Sequence, residues 1–425
     1  MFKIIVSCFI FTIFLVANDS CIKCHPKEAK KCETSIHTTL KNAINITREV
    51  WGIKNSDVTL QTIPHSPLKI EEPKDLVDDF LRRKCLKCHL GVKSSGEKGM
   101  KRQKSCLACH TKHNDKEKCQ TSKISTDKCV TCHNKQFVGT DYLGLFPKDH
   151  HHSFRAPLKK NGKYPSQKYG IDHHSLNEDI HHTLGMSCVD CHNNNSGKDW
   201  ETGTKCIDCH QDLTKQNHPN YHSNISCSAC HSSWNMSSYE MSVFRDDTAD
   251  YEKWKDLTLQ EDGYLTNFLT KALKSKKVIQ PVMPDWVDMK QKKGIWYSGY
   301  RYKRWEHFIL GNSDDGTIKI LRPMFQYRIS YRDKTGKMIL DDVSKVNGKD
   351  IEVWTPYSPH TIVKKAKSCE SCHENNLQNN NISNNTILDL QKPKNTINGS
   401  PLSSKQLDKL NSKKYKLIRA KSLFK

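Results

Sequence analysis

The chain has 425 residues, of which 35% are hydrophobic and 27% charged, and its mean hydropathy is −0.75. That balance is too polar to fill a large conventional core and excludes a bundle of membrane-spanning helices. The formal net charge of +22 is spread over dispersed lysines and arginines with no nucleic-acid-binding motif among them, so no nucleic-acid partner is expected.

At the N-terminus, Lys3 precedes an apolar, Ser- and Thr-containing run from Ile4 to Val16, followed by Ala17 and polar Asn18. Such a run is too short to span a bilayer, which takes roughly 20 residues. It has the form of a secretory signal peptide over 1–17, with Cys8 lost on maturation. Export places the mature chain in the periplasm, soluble or held peripherally at the membrane.

Sixteen of the nineteen cysteines then fall in eight Cys-x-x-Cys-His pentapeptides. In chain order these are Cys21/Cys24/His25, Cys85/Cys88/His89, Cys106/Cys109/His110, Cys129/Cys132/His133, Cys188/Cys191/His192, Cys206/Cys209/His210, Cys227/Cys230/His231 and Cys369/Cys372/His373. Two thiols three positions apart can form thioethers to the vinyl groups of one haem, while the next imidazole reaches the iron from the same side. Paired zinc sites would use Cys-x-x-Cys twice without needing a His after every second Cys. The pattern therefore predicts eight haem c groups, with the motif histidines as proximal ligands. Two propionates per haem would bring the holoprotein to about +6, so most of the basicity offsets the cofactor.

Motif spacing divides the chain. Seven motifs crowd a heptahaem domain over 18–233; a haem-free, aromatic-rich stretch covers 234–368; the eighth site follows at 369–373; a polar basic tail, partly disordered, runs over 374–425. Pro26 and the apolar positions Ala29, Cys32, Ile36, Leu40 and Ala43 predict a helix, and Pro73, Leu76, Val77, Phe80 and Leu81 predict another leading into Cys85. In the haem-free stretch, Leu265 to Leu273 is an amphipathic pattern. There Phe325 to Leu340 alternates around a turn at Asp333 to Gly336, and Ile295 to Trp305 alternates with many aromatics. The expected fold is mainly α with much irregular structure, a multihaem cytochrome c organised around stacked haems, with a small α+β region before the last haem site.

Fourteen histidines lie outside the motifs, more than the eight that full bis-histidine ligation needs. His182, His222 and His360 stand five to nine residues before a motif, His113 follows His110 by three, and His37 follows His25 by twelve. These five are the candidate distal ligands, which fill the second axial site and suit the iron to electron transfer. The clusters His150 to His152, His173/His174 and His181/His182 are expected to give one ligand apiece. Arg301, Lys303, Arg304 and His307 form a cationic group that could hold an oxyanion beside a haem. Cys32 and Cys119 remain for a disulfide or a free thiol. In the tail, Leu407, Leu410, Leu417 and Ile418 among basic residues read as a solvated charged end or as a helix for an acidic redox partner or a membrane surface.

Eight such motifs in an exported chain of this size, with a tight early cluster and an isolated last site, resemble the octahaem c-type cytochromes. That group includes octahaem tetrathionate reductase, hydroxylamine oxidoreductase-like proteins and octahaem nitrite reductases. The resemblance is one of layout over residues 21 to 373 and implies electron relay through most haems, with one open haem reducing a nitrogen or sulfur oxyanion in some members. No motif His is replaced by Lys here, no tethering Tyr is assignable, and a distal Lys could come from Lys148, Lys159 or Lys160. The catalytic residues stay unassigned. The expected function is multi-electron transfer with redox partner proteins, including a quinol-linked membrane donor. The alternative is terminal reduction of nitrite, hydroxylamine, tetrathionate or sulfite, with that small inorganic anion as substrate.

Overall fold

The computed structural model describes residues 19–54, 57–91, 94–97, 100–102, 105–110, 124–134, 139–147, 173–192, 203–211, 222–235, 238–253, 263–304, 308–323, 327–343, 345–346, 349–350, 353–374 and 395–417. His113, His150 to His152, His218, His307, Cys119, the leader and Lys148, Lys159 and Lys160 lie outside them.

The fold is mixed, which corrects the expectation of a mainly α protein. A four-stranded sheet runs in the order Met338–Val343, Tyr327–Arg332, Ser238–Asp246, Ile295–Arg304, antiparallel except for the central parallel pair. A five-stranded sheet runs Asn395–Thr396, Val353–Tyr357, Ile318–Pro323, Ile309–Ser313, Gly399–Pro401. The helices that carry motifs are short because Cys-x-x-Cys needs only one helical turn to bring its two thiols to one side. The motif-poor stretch, without that demand, builds the sheets.

The hairpin turn at Asp333 to Gly336 is closed by Asp333, whose carboxylate accepts from the Thr335 and Lys337 amides, with Gly336 at φ 87°. The amphipathic pattern becomes the helix Gly263–Lys274, burying Leu265, Leu269 and Ala272. The first long helix is instead broken into Pro26–Glu33, Ile36–Thr39 and Lys41–Val50. Leu40 sits in the left-handed region at φ 50° and turns the chain between the last two, at a backbone cost of roughly 1–2 kcal/mol. Upstream, the Cys32 carbonyl accepts from both the Ser35 and Thr38 hydroxyls, 2.7 and 2.6 Å away, fixing the turn that bears His37.

Each sheet packs against Cys-x-x-Cys-His motifs. The helix Lys74–Phe80, which continues into Cys85, buries Leu76, Val77 and Phe80 completely in a core shared with Val243, Trp296 and Ile329. Burial of this kind contributes about 1.5–3 kcal/mol per large side chain. Arg83, 1% exposed, donates to the carbonyls of Lys292, Lys293 and Gly294, and the Trp286 indole donates to the Arg83 carbonyl. On the other sheet, Ala229 of the seventh motif packs with Phe308, Leu310, Ile318, Ile320 and Leu402, and Cys372 of the eighth joins the same cluster. The tail from 395 to 417 is therefore not a solvated charged end. It adds two strands to that sheet, and Leu407 and Leu410 of the helix Ser404–Asn411 pack on the cluster.

Candidate metal centres

Most motif cysteines lie on or beside a short helix, and four of these helices are preceded by serine: Ser125 before Thr126–Val130, Ser187 before Cys188–Cys191, Ser226 before Cys227–His231 and Ser368 before Cys369–His373. Serine is a favoured helix N-cap. At the fifth and eighth motifs its hydroxyl or the reciprocal Asp190 carboxylate closes the turn. Among the described residues the motif cysteines are thiols, exposed or partly so, and chemically competent for thioether formation.

Cys24 and Cys109 lie in different local settings. Cys24 ends the six-residue helix Asp19–Cys24 and is exposed, and exposed His25 caps the next helix, Pro26–Glu33, at φ −127° and ψ 55°. The proline that follows the first motif starts a new helix there, so the pentapeptide ends at a bend instead of inside one turn. Cys109 is half-buried and lies just past the tighter 3₁₀ turn Ser105–Ala108. Its amide and that of exposed His110 both donate back to the Cys106 carbonyl, at 3.2 and 2.9 Å. His25, His110, His133 and His210 are exposed, whereas His89 is buried.

Four motif histidines each face a histidine from elsewhere in the chain. Ring centroids are 6.3 Å apart for His37 and His133, 6.1 Å for His181 and His210, 6.1 Å for His192 and His360, and 6.0 Å for His222 and His373. A metal–imidazole bond of about 2.0–2.1 Å, plus about 1.1 Å from nitrogen to ring centre, puts two axial imidazoles of one iron about 6.2 Å apart. The centroid spacing of each pair thus matches that of two imidazoles on one iron. Burial lowers the pKa of His37 and of His222, with the nearby charges of His192 and His373 respectively acting the same way. Both shifts favour the neutral ligand form.

The outer nitrogens of several rings are anchored. The His373 Nδ1 bonds the Leu410 carbonyl at 2.9 Å and the His231 Nδ1 the Val363 carbonyl at 3.1 Å. Such partners fix ring orientation and leave the other nitrogen for a metal. His181 Nδ1 lies 2.8 Å from the Asp179 carboxylate, which is 2% exposed and also accepts from the His181 and Ile362 amides. Burial pushes the Asp179 carboxyl up, yet the bonds from His181 and Ile362 hold it below its usual range, and Asp179 in turn raises His181.

Among the sequence candidates, His37, His222 and His360 each meet a motif histidine, but His222 and His360 face motifs other than the one each precedes in sequence. His182 does not. Its Nδ1 faces Glu178 at 2.9 Å and its ring stacks edge-on to Tyr142, while its neighbour His181 takes the place opposite His210. His89 is 5% exposed, with Nε2 2.7 Å from the Trp286 carbonyl and Nδ1 accepting from the Gly91 amide, so iron ligation there requires its ring to leave that carbonyl. His65 stands 3.7 Å from both Asp285 and Asp288, but Arg82 already bonds Asp285 at 2.7 Å and approaches Asp288 at 3.5 Å.

No protein-family model, curated protein or solved structure matches this chain.

The motifs also neighbour one another. The Cys129 and Cys188 thiols are hydrogen-bond partners, which lowers Cys188 to about 7 and raises Cys129, with the nearby Cys109 adding to the rise. Cys206 is raised first by its bond to Cys227, and Cys191 by burial and then by Cys209. Cys132 Sγ lies 3.7 Å from the Cys88 carbonyl, and Lys367 sits between Cys230 and Cys372. The second through eighth motifs therefore form one spatial series. Sequence reasoning missed Asp179; the signal was an N-cap type of residue immediately before the helical Ile180–Thr183 that holds both histidines. Among the described residues, no helix is long and apolar enough to cross a membrane.

Proposed function

We propose that the chain is a periplasmic octahaem c-type cytochrome that carries electrons through a series of closely spaced haems. The observation that carries this reading is the set of four facing histidine pairs, each joining one Cys-x-x-Cys-His imidazole to a second imidazole at the spacing of two axial ligands. Haem supplies one-electron chemistry at iron. Each cysteine pair would anchor one haem and its motif histidine would bind the iron, while His37, His181, His222 and His360 would supply a second ligand at the fourth, sixth, eighth and fifth motifs. Filling both sites closes the metal to substrates and favours electron transfer over reduction of an anion. Sequence-neighbouring motifs that are also spatial neighbours support a continuous path from haem to haem. The exposed settings of Cys24 with His25 and of Cys206 and Cys209 with His210 suit the first and sixth haems to exchange electrons with partner proteins.

The test is low-temperature EPR and optical spectroscopy of the oxidised holoprotein, with haem counted per chain. Eight haems, low-spin at the four paired sites and unmoved by nitrite, hydroxylamine, tetrathionate or sulfite, are expected. A high-spin haem that responds to one of these anions would make the protein a terminal reductase, and a chain that binds no haem would end the reading.

A further inference from the structure

The distal histidines of the fifth and sixth motifs are both held by buried carboxylates, and these carboxylates belong to one connected patch. Asp141, 1% exposed, accepts from the Tyr357 hydroxyl at 2.5 Å and the His360 amide at 3.2 Å, with His360 Nδ1 at 3.7 Å. Two residues after His360, the Ile362 amide donates to Asp179 at 2.8 Å, and the Ile362 carbonyl accepts from Ile180 at 2.8 Å. Asp179 then bonds His181 Nδ1 at 2.8 Å. By contrast, the anchored motif imidazoles His231 and His373 lean on neutral backbone carbonyls.

We infer that Asp179 is a positioning residue that fixes His181 as distal ligand of the haem on Cys206 and Cys209 and, through its charge, makes that haem harder to reduce. The inference rests on the haem reading above. A carboxylate that accepts the Nδ1 proton increases the donor strength of the other nitrogen and adds a negative charge near the iron. Both effects stabilise the oxidised metal over the reduced one. The bond to His181 Nδ1 is direct, whereas Asp141 stands 3.7 Å from His360 Nδ1, so the effect is stronger at the sixth haem than at the fifth.

The experiment is a spectroelectrochemical titration of the full holoprotein and its Asp179→Asn variant, with EPR at each poise. Asparagine keeps an acceptor for the His181 amide and Nδ1 but removes the charge. The expected result is an unchanged count of eight haems with one midpoint raised by roughly tenfold in its oxidation equilibrium, about 59 mV for one electron. Asp179→Ser, which keeps a helix cap but loses both charge and reach to Nδ1, should raise the same midpoint or turn that haem high-spin. Asp315→Asn, at an exposed turn, should move none. A low-spin, eight-haem Asp179→Asn or Asp179→Ser protein with every midpoint unmoved overturns the inference, as does an equal shift in Asp315→Asn. A wild-type chain without haem instead overturns the reading on which the inference rests.

Discussion

His192 and His360 face each other with ring centroids 6.1 Å apart, although one closes the fifth motif and the other stands nine residues before the eighth. Replacing His360 by alanine should leave eight haems attached, because attachment uses only the cysteines, while one haem changes from low- to high-spin. Haem count and EPR of the His360→Ala protein check this. An unchanged set of low-spin signals would mean that His192 has another partner.

The facing rings differ in relative orientation. His222/His373 and His192/His360 are tilted by 18° and 31°, whereas His37/His133 stand at 85°. Near-parallel axial planes give rhombic low-spin EPR spectra and near-perpendicular ones give strongly anisotropic spectra. Both classes should therefore be present in the wild type, and His37→Ala should abolish a strongly anisotropic component. Loss of a rhombic signal instead would contradict the assignment.

Arg48 and Asp78, each 8% exposed, form an ion pair in which Arg48 Nη1 donates to both carboxylate oxygens and which joins the helix Lys41–Val50 to Lys74–Phe80. Removing one partner strands the other charge in the core. Asp78→Ala should cost about 3–5 kcal/mol, while the double replacement Arg48→Met with Asp78→Leu should cost far less. Urea unfolding followed by circular dichroism would separate the two, and equal losses would show that packing rather than charge sets the effect.

Burial lowers the Lys367 amine from 10.5 to about 8, with the thiols of Cys372 and Cys230 opposing the shift. Between those values the unfolded chain binds more protons than the folded one, so this group makes stability rise as pH increases through the window. Below about pH 8 both states are protonated and the burial penalty is present in full. Lys367→Met should flatten the rise between pH 8 and 10.5 and stabilise the protein at neutral pH. A pH series of urea midpoints measures it, and an unaltered slope would rule it out.

The pentapeptides are legible in the sequence because each is a local pattern, complete within five residues. Its surroundings were not legible, since nothing inside the pentapeptide distinguishes exposed Cys24 from Cys372, which packs on a sheet. The hairpin about Asp333 and the helix at Leu265 were legible because alternation and helical periodicity are short-range signals. The extent of sheet was not. Val353–Tyr357 pairs with Asn395–Thr396, and Gly399–Pro401 with Ile309–Ser313, so strands from a tail that reads as polar are recruited across long separations. The histidine pairs were half legible: supply and spacing singled out His37, His222 and His360, but that His181 and not His182 lies beside His210 goes with Asp179 receiving an amide from Ile362 far along the chain. Nothing near residue 181 in sequence encodes that contact.

The four histidine pairs have a topological meaning as well. They tie position 37 to 133, 181 to 210, 192 to 360 and 222 to 373, and the tie from 192 to 360 interleaves with both of its neighbours. With a covalently anchored macrocycle between the rings, every tie becomes a staple that shrinks the conformational freedom of the unfolded chain. Closing a loop of about 100 residues in this way is worth about 4–5 kcal/mol on the chain-entropy scale used for disulfides. Interleaved staples cannot be set one domain at a time. On the haem reading, maturation and folding of the segment from 181 to 373 would be a single event, and a chain so poor in apolar residues would reach its compact state by being laced rather than by collapsing.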